Sequence, residues 1–147
     1  MGSDYMTSPF DDLLKPVDEH LIVHNELMSP LILGNRIKIH SAENGIPDLD
    51  TVKIALLGIP EERNSVDYLG DELNLNEIRK SFYNLYPGNW SNGISDLGNL
   101  ILGNNSEETY GRLISLLTIL FKKDIIPILI GGSQDLLYSV YLSLIHI

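Results

Sequence analysis

No cysteine occurs among the 147 residues, which removes disulfides, thiolate metal sites and a cysteine nucleophile together. Basic residues are scarce: 10 lysines and arginines face 20 aspartates and glutamates, for a formal net charge of −10. Such a chain lacks the basic face that phosphate backbones and anionic lipids select, so neither nucleic acid nor a membrane is an expected partner. No apolar run reaches the ~18 residues that a membrane helix needs. The start, Met1-Gly2-Ser3-Asp4-Tyr5-Met6, has neither the basic region nor the apolar core of a secretory signal, and the cytoplasm is the expected compartment. What is present is a globular composition, 44% hydrophobic with a mean hydropathy of +0.04, in a length that suits one domain with a real core.

Residues 1–50 read as an irregular arm punctuated by Pro9, Pro16, Pro30 and Pro47. One helix is expected there over residues 18–28, gathering Leu21, Ile22 and Leu27 and stopping before Pro30. His20 and His24, spaced i and i+4 on it, have the separation of a helical metal pair, but no third ligand is nearby and exposed histidines are the plainer reading. From residue 51 the pattern becomes regular. Residues 52–60 are nearly continuous apolar, as a strand buried on both faces is. A polar loop over residues 61–74 follows, with Arg63, Asn64, Asp67, Gly70, Asp71 and Glu72, long enough to suggest a functional role. A helix is then expected with Leu75, Ile78, Phe82 and Leu85 on its inner face, ended by Pro87-Gly88. Trp90, the one tryptophan, reads as a packing residue.

A short strand over residues 94–98 carries Asp96, a carboxylate suited either to catalysis or to holding backbone N–H groups in the adjoining turn. The best-marked helix has Ser106 as its expected cap, acids at Glu107 and Glu108, and Leu113, Leu116, Leu117, Leu120 and Phe121 at helical spacing before Lys122 and Lys123. It leads into a short apolar, β-branched strand over residues 125–130, expected to be buried, and a third helix is expected from Asp135. The alternation of strand and helix implies an α/β fold with right-handed crossovers and a mostly parallel sheet.

In such sheets ligands bind beyond the carboxyl ends of the strands, which directs attention to Gly131-Gly132-Ser133-Gln134-Asp135. The turn has neither glycine spacing of the phosphate-binding loops. Ser133 lacks the second glycine of a nucleophile elbow, and the only later histidine is His146. Gln134 and Asp135 could give a partial metal shell for water activation. The residues alone favour a tight turn in which Ser133 or Asp135 caps the next helix.

Taken in order, Leu57-Gly58-Ile59-Pro60, Asn76-Glu77-Ile78-Arg79-Lys80, Asp96-Leu97-Gly98-Asn99 and Ile128-Leu129-Ile130-Gly131-Gly132 resemble the ureohydrolase family of arginases, agmatinases and formimidoylglutamases. The likeness runs over residues 50–141, and the Gly-Gly-Ser-Gln-Asp turn is most similar to formimidoylglutamase-type proteins. It implies a three-layer α/β domain, with helices on both faces of a mostly parallel sheet, and a two-manganese centre at the strand ends. There a metal-bridging hydroxide attacks a small-molecule linear amidine: formimidoylglutamate first, arginine or agmatine next. It also implies assembly into homo-oligomers. Two departures stand out. Gln134 occupies the place of the family's histidine ligand, with Asp135 beside it, and an amide oxygen is a poorer ligand than imidazole for such an ion. The family's later Asp-x-His-x-Asp and Asp-x-Asp motifs would follow well beyond residue 141, and residues 142–147, Leu-Ser-Leu-Ile-His-Ile, match the in-frame translation of a common transposase-end sequencing adapter. The expectation is therefore an N-terminal portion of the family's domain over residues 51–141 followed by an adapter-derived tail, with no catalytic residue of its own. A non-catalytic arginase-fold protein used for binding or oligomerisation is the alternative.

Overall fold

The computed structural model describes residues 10–66, 70, 74–89 and 93–145. Trp90, His146 and the acidic loop residues Asp67, Asp71 and Glu72 lie outside that set. Among the described residues five strands form one sheet: β1 (Leu14–Lys15), β2 (Lys38–Ile39), β3 (Ile54–Gly58), β4 (Ile94–Leu100) and β5 (Ile126–Ile130). The helices are α1 (Glu19–Leu27), α2 (Asn76–Tyr83), α3 (Ser106–Lys122) and α4 (Leu137–Ile145). The apolar run of β3 makes it the inner strand, parallel to β4 on one side and to β5 on the other, with Leu56 opposite both Asp96 and Ile128. The mixed α/β architecture with a mostly parallel sheet is thus the one expected from the strand–helix alternation.

The outer edge of β4 is shared. β1 runs antiparallel opposite Asn99 and Leu100, and β2 runs parallel opposite Ser95 and Asp96. The segment read as an irregular arm therefore supplies two sheet strands. Each is two residues long, too short for a period-2 pattern to show.

Helices cover both faces. Ala55, Leu57 and Ile59 of the β3 segment and Leu97 of β4 pack in one core with Leu113, Leu116, Leu117 and Leu120 of α3, the i, i+3, i+4, i+7 stripe expected of a core-facing helix. The cap of α3 is Asn105, whose side chain accepts the Glu108 N–H at 2.9 Å, and Ser106, the expected cap, is instead the first helical residue. On the opposite face α1 and α2 enclose a smaller cluster of Val17, Leu21 and Tyr83. In α1, capped by Asp18, Leu21 is buried while Leu27 is 80% exposed, so the expected Leu21–Ile22–Leu27 grouping does not form.

Two further expectations are corrected. The buried line of α2 is Leu75, Arg79 and Tyr83, while Ile78 and Leu85 are exposed, because the helix turns a polar pair toward a buried carboxylate on β4. And β5 is not sandwiched: it pairs only with β3, and Ile126 and Ile128 remain 64% and 41% exposed. After a 3-10 turn at Gln134–Leu136, α4 packs on α3 through the buried Ser139 and Ser143, whose small side chains permit close approach. Residues 142–145 simply continue this helix.

Candidate functional site at the strand ends

Parallel strands bring the segments that follow β3, β4 and β5 to one edge of the sheet. There Glu61, just past β3, is fully buried and takes the Arg63 guanidinium in a two-pronged grip, Nε to Oε1 at 2.8 Å and Nη2 to Oε2 at 2.6 Å. That pairing, ahead of the opposing cost of burial, holds the Glu61 carboxyl below its ordinary range. Arg63 also donates to the carbonyl of Gly103, beyond β4, at 2.9 Å and to the Thr109 hydroxyl of α3 at 3.1 Å. The Glu61 carbonyl accepts the Ser133 N–H at 3.0 Å. One arginine and one glutamate thus link all three strand ends.

The turn after β5 is built on its glycines. Gly131 and Gly132 have φ of 81° and 86°, a region that favours glycine, and a Cβ on Gly132 would collide with the Leu136 side chain. This places Asp135 against α3, where its carboxylate accepts from the hydroxyls of Tyr110 and Ser133 and from Asn64 Nδ2 at 3.0 Å. Asn64 Nδ2 also donates to the Tyr110 hydroxyl at 2.6 Å. Neither Ser133 nor Asp135 caps the following helix with its side chain in the expected way; Ser133 sits at the cap position without such a bond.

Asp96 is settled as a structural residue. It is completely buried and accepts from Arg79 Nε at 2.9 Å, Arg79 Nη2 at 3.1 Å, the Tyr83 hydroxyl at 2.5 Å and the Gly98 N–H at 2.9 Å. The last of these holds a one-residue bulge in β4: Leu56 faces Asp96, but Gly58 faces Asn99. Arg79 completes its own bonding with the Gly98 carbonyl at 2.8 Å and Asn99 Oδ1 at 2.5 Å. Burial, and then the charge of Asp96, raise the Tyr83 phenol well above its ordinary value of 10.0.

The metal expectation meets a donor set that does not fit it. Gln134, in the place of the family histidine, is exposed, and the carboxylate of Asp135 is engaged by three protein donors. No group of three or more histidine, aspartate or glutamate side chains with metal-binding geometry occurs among the described residues. Of the two histidines expected to be exposed, His20 is, its side chain 93% exposed and 3.1 Å from Asp18, whereas His24 is half-buried. Sequence reasoning singled out Asp135 and the 61–74 loop, but not Tyr110 or Thr109. Their one signal is that both are polar residues in the opening turns of a helix that starts beside a strand end.

A central parallel strand flanked by two others, with helices on both faces and polar segments gathered at the strand ends, is a mixed α/β architecture consistent with an arginase-like fold. Among solved structures, the chain is similar to formimidoylglutamase from Bacillus subtilis, with a TM-score of 0.52 and 17% identity over 74% of this chain. The matched region spans 41% of that protein's length. No protein-family profile matches the sequence, and no curated protein matches it. No helix among the described residues is long and apolar enough to cross a membrane.

Proposed function

We propose that this chain is the N-terminal part of a ureohydrolase-type hydrolase that cleaves carbon–nitrogen bonds in small linear amidines, with formimidoylglutamate the favoured substrate and arginine or agmatine next. The observation that carries the reading is the fold shared with formimidoylglutamase, together with a polar strand-end edge in the position where α/β proteins bind their ligands. Water adds to the amidine carbon and the carbon–nitrogen bond then breaks, releasing formamide or urea according to the substrate. The chain's contribution is scaffolding: Glu61, Arg63 and Ser133 tie the strand ends together, and the loop beginning at residue 61 borders the substrate. The ligands for the family's manganese and the catalytic groups would come from chain beyond these residues, so the 147-residue chain alone would be inactive. The exposed Ile126 and Ile128 of β5 are then covered by further strands, and a homo-oligomer in the cytoplasm is the working form.

The complete coding sequence, followed by assay of the whole protein with each of the three amidines in the presence of manganese, tests this. Release of formamide from formimidoylglutamate is expected. Absence of turnover with all three rejects the hydrolase. A second reading, a non-catalytic protein of the same fold serving binding or oligomerisation, is favoured by Gln134 and by the engagement of Asp135; it requires that the whole protein carry non-ligands in place of both Asp-x-His-x-Asp and Asp-x-Asp downstream of residue 141.

A further inference from the structure

We infer that the turn Gly131-Gly132-Ser133-Gln134-Asp135 is a clasp that fixes the loop after β3, with Asp135 as a positioning residue in place of a metal ligand. A ligand carboxylate must turn a free lone pair toward open space. That of Asp135 instead faces α3 and the loop after β3, and three of its roughly four acceptor sites are filled: one on Oδ1 by the Ser133 hydroxyl, two on Oδ2 by the Tyr110 hydroxyl and by Asn64. All three donors belong to neutral side chains, so the carboxylate is the one formal charge of the clasp, and hydrogen bonds to a charged acceptor are the stronger kind. The geometry is also closed from the other side. Asn64 bonds Tyr110 directly, and the Ser133 N–H reaches back to the Glu61 carbonyl at 3.0 Å. The clasp therefore grips the loop at two points, the Glu61 carbonyl and the Asn64 side chain, on either side of Arg63 in the sequence. Gln134, between the two clasp residues Ser133 and Asp135, points to the exposed surface. The glycine doublet gives the sharp reversal needed to bring Asp135 back onto α3.

The inference goes beyond the proposed activity and does not depend on it, since its test involves no amidine turnover. Asp135→Asn and Tyr110→Phe are made in the 147-residue chain, and hydrogen exchange is followed for residues 61–66 and 133. Losing a charged hydrogen bond is expected to speed exchange there about tenfold in each variant, and the double variant is expected to gain little more than either single one, because both changes open the same clasp. Asp135→Glu, which keeps the charge and lengthens the arm, is expected to restore part of the protection. In parallel, Mn2+ is titrated and followed by the loss of its free-ion EPR signal: the clasp predicts the same response from the wild type and Asp135→Asn. A stoichiometric Mn2+ site in the wild type that Asp135→Asn abolishes and Tyr110→Phe leaves intact would overturn the inference, and so would unchanged exchange in both single variants.

Discussion

Replacing Arg79 by methionine keeps most of the aliphatic stem but removes the guanidinium from a pair that is almost completely enclosed, with side chains 1% and 0% exposed. Asp96 would be left with the Tyr83 hydroxyl and the Gly98 N–H as its donors. The Gly98 carbonyl and Asn99 Oδ1 would lose theirs at the same time. An uncompensated buried charge of this kind costs about 3–5 kcal/mol, a large part of the stability of an ordinary domain. With a urea slope of about 2 kcal/mol per molar, the unfolding midpoint should fall by roughly 2 M. The measurement is a urea titration followed by far-UV circular dichroism, for Arg79→Met, Asp96→Asn and the double variant. If the pair acts as a unit, the double variant is less destabilised than the sum of the single ones, by more than about 1 kcal/mol. Additive effects, or a midpoint shift for Arg79→Met below about 0.3 M at unchanged slope, would refute the claim that α2 is held to β4 by this ion pair.

Three other outcomes follow from the same geometry. Glu61 has a folded carboxyl held below its ordinary value of 4.5 by Arg63, so its stabilisation is present above that pH and is lost as pH falls through the lowered value; acid unfolding of Arg63→Met should show a shallower pH dependence than the wild type. Tyr83 has its phenol raised above 10.0, so its contribution is intact below pH 10.0 and declines as the pH rises beyond it, because only the unfolded chain then gives up the proton; the tyrosinate absorbance that the wild type shows in excess of Tyr83→Phe should appear together with unfolding, and Tyr83→Phe should be less sensitive to alkali. Ile128, 41% exposed on a strand with one unpaired edge, should drive self-association of this chain, and Ile128→Lys should lower its light scattering at matched concentration without changing the circular dichroism.

The parts of the fold that were legible in the sequence are those whose stability comes from apolar periodicity. Leu113, Leu116, Leu117 and Leu120 announce α3, and the apolar run around Leu56 announces an inner strand. What was illegible depends on pairing across the chain. Nothing local to Arg79 says that it enters the interior, since its burial follows from Asp96 on a different element. The same holds for Tyr110, whose hydroxyl matters only because the turn after β5 returns to it. Strands β1 and β2 fail for another reason: two residues carry no period. The exposure of the 125–130 strand is not legible either, because a β-branched run looks alike whether its strand lies inside the sheet or at its edge. At the candidate site, the position of the turn followed from strand order, whereas the role of Asp135 could be seen only once its three donors were in place.

The shared outer edge of β4 has a consequence for the order in which the sheet can be completed. Residue 14 pairs opposite residue 100, and residues 38 and 39 pair opposite 95 and 96. During synthesis both edge pieces therefore emerge long before the strand they cover, and must wait without a partner. The inner pairs also join distant segments, but β1 closes the longest loop of the sheet, and long loops are the slowest and entropically costliest to close. A refolding chain should accordingly pair β3 with β4 first, across the shortest of these loops, and seal β1 against the far edge of β4 last.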